Sequence, residues 1–355
     1  MIFVARPSAF AAALSLLVLG SPLIAGCSGL DGDTHSRNAY LKYERGNYQG
    51  AIADYTKALE ISPQDANDYY NRGNVKYDLE EYHGAIEDYS KTLAINPLHA
   101  YAYLNRGNAK SELGDHKGAI ADYNKAIEIN SQDARAYTNR GIAKSELGDH
   151  QGAIVDYNKA IETNLQDAGV VYLNRGNAKS ELGDHKGAIA DYNKTLEINP
   201  QYVDAFINRG IVKGDLGDHQ GAIADYNKAI EINSQDARAY MSRGIAKDHL
   251  GNHQGAIADY NKSLEINPYN GNILNSRGIA KFTLGNYQGA IADYTKAIEI
   301  SPFDSIAYYN RGLAKDNLGN RQGACDDHKK AVSLGNQVVA QYLNSEDGAW
   351  CLNMR

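Results

Sequence analysis

The sequence predicts an all-α solenoid, a series of helix pairs stacked in chain order. Two observations carry that expectation. The string NRGNAKSELGDHKGAIADYNK occurs at Asn105–Lys125 and again at Asn174–Lys194, and looser copies fill most of the chain. Aligned on one glycine, they give Gly73, Gly107, Gly141, Gly176, Gly210, Gly244, Gly278 and Gly312, a step of 34 residues with a single step of 35. A fixed period of that size marks a stack of identical supersecondary units. Inside each period, two helix-forming halves are separated by a glycine and closed by a proline-type stop. Such an array works as a binding surface, so a partner is expected rather than a reaction.

The first element differs from everything after it. Met1 to Gly26 carries one charge, Arg6, followed by a largely apolar run from Ala9 to Leu19 and then Gly20, Ser21 and Pro22. This is the layout of a secretory signal. The apolar core is short of the roughly 20 residues that a membrane span needs. It ends in Leu23-Ile24-Ala25-Gly26-Cys27, which resembles the lipobox of bacterial lipoproteins. That resemblance implies removal of residues 1–26 as a signal peptide, lipidation of Cys27, and a short linker at 27–31. More than one acyl chain would then hold the protein at a membrane, since a single chain binds only marginally. An uncleaved anchor and plain secretion stay open.

The unit from Ala100 to Asp133 shows the design of the rest. Tyr101 to Leu113 is a good helix former that stops at Gly114. Ala119, Ile120, Tyr123, Ala126 and Ile127 then fall on one face of a second helix, with Asp115 placed as its N-cap. Asn130-Ser131 closes the unit, and sister copies place Pro63, Pro97, Pro200, Pro268 and Pro302 near the same point. The pattern of Tyr103, Gly107, Gly114, Ala119, Tyr123 and Ala126 resembles the tetratricopeptide repeat (TPR). The resemblance implies a right-handed superhelix of nine repeats: 32–65, 66–99, 100–133, 134–167, 169–202, 203–236, 237–270, 271–304 and 305–338. The tail, 339–355, reads as a cap for the last apolar face.

Departures from the family pattern are informative. Ala168 is an extra residue between the fourth and fifth units, and a local disturbance is expected there. Arg stands at the seventh position from Arg72 to Arg311, Lys at the eleventh from Lys42 to Lys315, and Asp at the twenty-third from Asp54 to Asp327. Two cations one turn apart repel, so an Asp on the second helix is expected to join them in an Arg–Asp–Lys ladder. The rival reading is a solvated charged face of little energetic weight.

In TPR proteins the first helix of each pair lines the concave groove. Carried over by position, the resemblance places Leu104, Asn108, Thr138, Ile142, Leu173, Asn177, Ile207, Ile211, Met241 and Ile245 on the groove floor. Glu112, Glu146, Glu181 and Asp215 would form an acidic edge, favouring protein or peptide segments with apolar anchors and Lys or Arg. A carboxylate clamp of the co-chaperone kind would draw on Asn74, Asn105 and Arg135, or on Asn177, Asn208 and Arg238. Tyr70 and Leu173 stand where that clamp needs lysine, which argues against it.

A net charge of −7 and a pI near 5.8, with no basic block, argue against nucleic acid. No catalytic constellation or cofactor motif stands out, so no enzyme activity is expected. His116, His150, His185, His219 and His253 share one repeat position. Equivalent positions in adjacent repeats lie about 10 Å apart, so no shared metal is expected. Cys325 and Cys351 could be bonded in an exported chain, or remain buried thiols. The expectation is a lipid-anchored scaffold of the bacterial cell envelope. The alternatives are a cytoplasm-facing assembly factor on an uncut anchor and, less favoured, a repeat-flanked enzyme.

Overall fold

A computed structural model describes residues 29–163, 168–345 and 348–352. The signal-peptide reading and Cys27 lie outside those residues. Among them there are only helices and turns, and the chain divides into two compact units, one through Leu113 and one from Gly114. The first unit holds α1 (Gly29–Glu44), α2 (Tyr48–Ile61), α3 (Ala66–Asp78), α4 (Tyr82–Ile95) and α5 (Ala100–Glu112). The second begins with α6 (His116–Ile129), α7 (Ala134–Glu146), α8 (His150–Glu162), α9 (Gly169–Glu181) and α10 (His185–Ile198). It continues through α11 (Val203–Asp215), α12 (His219–Ile232), α13 (Ala237–His249), α14 (His253–Ile266), α15 (Gly271–Thr283) and α16 (Tyr287–Ile300). The last hairpin, α17 (Ser305–Asn317) and α18 (Arg321–Ser333), is followed by α19 (Gln337–Leu343) and α20 (Ala349–Leu352). Within each unit, consecutive helices pack as the all-α repeat reading expects.

Local chemistry sets the helix ends. The residue before each second helix is Asp or Asn nearly throughout, and its side chain accepts a hydrogen bond from the backbone N–H three residues on. Asp149 caps Gly152 in this way at 2.9 Å, satisfying a donor that the helix cannot. Glu81 is the exception: its longer side chain makes no cap. One residue earlier the chain needs a left-handed backbone, met by glycine in the sister turns, as at Gly148 with φ of 81°. Glu80 takes that conformation at φ of 60° and carries the steric cost.

Close approach of the two helices in a hairpin rests on a glycine against a tyrosine. A Cβ built on Gly141 would lie 2.7 Å from Tyr157 Cε1, and Tyr157 is 1 % exposed. The charged columns pack beside this contact as the expected ladder. In α7–α8, Arg140 grips Asp156 with two nitrogens at 2.9 and 2.6 Å, while Lys144 approaches the same carboxylate at 2.8 Å. The remaining guanidinium nitrogen, Nη1, donates backwards to Asn124 on α6 at 2.7 Å. Arg140, Arg175, Arg209, Arg243 and Arg277 each close their own hairpin and tie it to the one before. In the first unit Arg72 does the same with Asp88 and Thr56.

The extra residue, Ala168, leaves α9 without a side-chain cap, where α7 and α13 use Asp133 and Asp236. It does not break the ladder. Arg175 still reaches Asn158 at 2.6 Å, across 17 residues instead of the 16 that separate Arg209 from Asn193.

The C-terminal end is closed by α19 and α20. Cys325 and Cys351, both fully buried, are joined by a disulfide with a Cα–Cα distance of 5.2 Å. Val339 and Leu343 pack with them, flanked by Tyr308, Tyr309, Val332, Tyr342 and Trp350. His328 replaces the hairpin tyrosine here, fully buried between Tyr309 and Tyr342, and neither ring nitrogen makes a well-formed hydrogen bond. Burial lowers its pKa below the ordinary 6.5, against the opposing pull of Asp316 and Asp327. The unfolded chain therefore binds this proton more tightly than the folded chain, and stability falls as pH drops below about 6.5. Thermal melting between pH 7.5 and 5.5 should show a cap destabilised by acid, with a visibly shallower pH dependence in His328→Phe.

Candidate partner-binding face

The groove floor expected from repeat position is largely absent from the surface. Leu104, Thr138, Leu173 and Ile207 are only 4, 9, 6 and 2 % exposed. The fifth residue of the first helix points into the core that the hairpin shares with its neighbours. Leu173 packs with Tyr192, Leu196, Ala205 and Val212, and Ile207 with Tyr226, Ala229, Ala239 and Ala246. Thr138 spends its hydroxyl on the carbonyl of Ala134. These four are corrected from partner contacts to core residues.

The ninth position divides by residue type. The Asn177 carboxamide oxygen accepts from the Tyr192 hydroxyl and from Asn208 Nδ2, both at 2.9 Å. Asn74 takes the same pair of bonds from Tyr89 and Asn105 in the first unit. Asn177 is thus an inter-hairpin linker, and Asn108 is half-buried. Where the position is isoleucine, no such bond forms. Ile142 and Ile211 lie half-buried against the core, whereas Ile245 and Ile279 are 39 and 44 % exposed. Of the expected floor residues Ile245 is accessible, and the apolar surface continues one repeat further to Ile279.

The acidic residues Glu112, Glu146, Glu181 and Asp215 are all exposed at the ends of first helices. Beside the last three stand Leu147, Leu182 and Leu216, roughly half-exposed leucines that immediately precede each turn glycine. Sequence reasoning passed over this leucine, although its recurrence before every turn glycine from Gly114 onwards was visible.

The clamp residues are committed elsewhere. Arg135 pairs with Asp133 at 2.9 Å, and Arg238 is held by Asp236 at 2.6 Å and Asp204 at 2.7 Å. Hydrogen bonding to Asp236 raises the Arg238 pKa further. Neither arginine is left as an open anion receptor. Between them, α14, α15 and α16 form a shallow cleft of about 590 Å³, lined in part by Leu264, Pro268, Tyr269, Leu274 and Ile300. Among the described residues no three metal-ligating side chains converge, and no helix is long and apolar enough to cross a membrane.

Comparison with known families decides the assignment. A TPR-repeat family profile matches residues 39–80, 73–114, 107–148, 214–247 and 280–319. A second, described as tetratricopeptide repeat, matches 134–167, 170–202 and 237–270. The chain belongs to the tetratricopeptide-repeat family. No curated protein matches it. Among solved structures, a TPR protein from Parabacteroides merdae is 25 % identical, with 69 % of this chain and 97 % of that chain covered and a TM-score of 0.55. The C-terminal part of a TPR protein from Cytophaga hutchinsonii is 17 % identical, covering 71 % and 100 %, with a TM-score of 0.57. PilW, described as a type IV pilus biogenesis factor, is 20 % identical, covering 58 % and 94 %, at 0.54. The last two show the fold alone. TPR arrays are in general protein-interaction scaffolds and typically not enzymes, so the exposed face of the first helices is where a partner is sought.

Asn177→Ala should leave the Tyr192 hydroxyl and Asn208 amide short of a partner and cost about 1–2 kcal/mol. Denaturant unfolding of the variant checks that the residue is structural.

Proposed function

We propose that this TPR chain is a lipid-anchored docking scaffold of the bacterial cell envelope, receiving partner segments on the first-helix face of its second unit. The observation that carries the reading is the pairing of exposed Ile245 and Ile279 with the exposed acids Glu146, Glu181 and Asp215 on one set of helices. Isoleucine offers apolar anchorage without a polar group to satisfy. The acids favour Lys or Arg flanking that anchor and would speed its encounter. A partner helix with apolar residues two turns apart, about 10 Å, or an extended segment, meets both requirements.

The disulfide supports placement outside the cytosol. Bonds such as Cys325–Cys351 persist in oxidising compartments and are rare where thiols are kept reduced. A cytoplasm-facing anchor would put them in a reducing compartment, which disfavours that alternative. The lipobox-like Leu23–Cys27 supports attachment through Cys27.

Two measurements test the reading. Capture of envelope proteins by the purified chain should fall at least tenfold in Ile245→Asp/Ile279→Asp and in Glu146→Lys/Glu181→Lys/Asp215→Lys, with melting temperatures preserved. Undiminished capture would remove this face. Mass spectrometry of the membrane-extracted protein should find Cys27 as an acylated first residue; an intact Met1 with unmodified Cys27 would overturn the anchor.

A further inference from the structure

His219 and His249 are the two rings that the repeat logic would not bring together. His219 opens α12, in the shared histidine position, whereas His249 ends α13, where preceding repeats carry Glu or Asp. Neighbouring hairpins bring these non-equivalent positions face to face. The ring centroids are 4.7 Å apart and the planes differ by 2°.

Neither imidazole has another partner among the described residues. Two other members of the histidine row differ: His150 is engaged by Ser145 at 3.1 Å and His253 by Asp248 at 2.8 Å. His249 is exposed and His219 half-exposed, so their ring nitrogens are open to solutes.

We propose that His219 and His249 form a surface site for a borderline divalent transition metal, such as Zn²⁺ or Ni²⁺, that joins two adjacent repeats. Their ring nitrogens are the atoms with which imidazole ligates metals. An anion would meet Asp215, Asp218 and Asp248, each within four residues of a stacked histidine. Those same acids draw a cation towards the pair. Imidazole nitrogen selects borderline metals over Mg²⁺ or Ca²⁺, which prefer oxygen ligands. Parallel rings do not themselves converge on an ion. The exposed His249 side chain must turn so that one nitrogen from each ring lies about 2.0–2.1 Å from the metal, with water completing the shell. The bound ion would fasten α12 to α13.

Calorimetric titration of the full chain with Ni²⁺ and Zn²⁺ tests the site, with Mg²⁺ as the negative control. The expected result is saturable binding that weakens at least tenfold in His219→Gln and in His249→Gln and is unchanged in His185→Gln, a histidine from the same row. Zn²⁺ should also raise the melting temperature of the wild-type chain and not that of the double variant. No saturable binding below millimolar metal would overturn the proposal. So would equal loss in His185→Gln, binding preserved in the double variant, or a melting shift that survives the double substitution.

Discussion

Burial of one aspartate per hairpin is the constraint on which the rest of the structure depends. Asp156 and Asp191 are 2 and 3 % exposed, and a carboxylate so far from water is costly unless neighbouring charges and donors replace its hydration. Arginine suits this role because its planar fork meets both carboxylate oxygens and still has a nitrogen to spare. That spare nitrogen reaches the preceding hairpin, as Arg209 reaches Asn193 and Arg243 reaches Asn227. One electrostatic requirement inside a hairpin thereby sets the register between hairpins. Lysine on the next turn of the same helix supplies the second cation, so the repulsion expected of the Arg/Lys column is cancelled where it arises.

The ladder and the glycine–tyrosine contacts decide which surface remains for a partner. Each hairpin brings its first helix close enough for Gly176 to lie beneath Tyr192, and the buried hydroxyl then needs an acceptor. Where the ninth residue is asparagine, that need is met from the first helix, as Asn177 meets it for Tyr192. Isoleucine at the same position cannot accept a hydrogen bond: Ile142 and Ile211 lean on the core, while Ile245 and Ile279 are left as apolar surface. The same column of residues thus supplies both inter-hairpin bonds and exposed apolar side chains, according to residue type and place in the stack.

The last repeat obeys the same geometry with altered chemistry. Cys325 on α18 bonds to Cys351 on α20, and α20 has only four residues, too few for an isolated helix in water. Its attachment therefore depends on the covalent link and on the cluster around Val339 and Leu343. His328 occupies the tyrosine's place over Gly312, where an added Cβ would lie 2.4 Å from its Cδ2. The contact is preserved, but the ring can now be charged by acid.

Much of the architecture was legible in the chain itself, because repetition turns weak local signals into a strong one. The period, the helix boundaries near Gly114 and Asp115, the charge ladder and the capping role of Val339–Leu343 all follow from residue type at recurring positions. The face was legible only in part. Leu104, Leu173 and Ile207 occupy positions that touch ligands elsewhere in the family, yet burial depends on how neighbouring hairpins close over them. The His219–His249 stack lies beyond any reasoning from equivalent positions, since it joins two columns that meet only across a repeat interface. By itself, the sequence determined what each hairpin is and how it is held, through contacts internal to a 34-residue period. Tertiary structure alone decided which side chains stay accessible and which strangers become neighbours, because exposure belongs to the packed stack and not to the repeat.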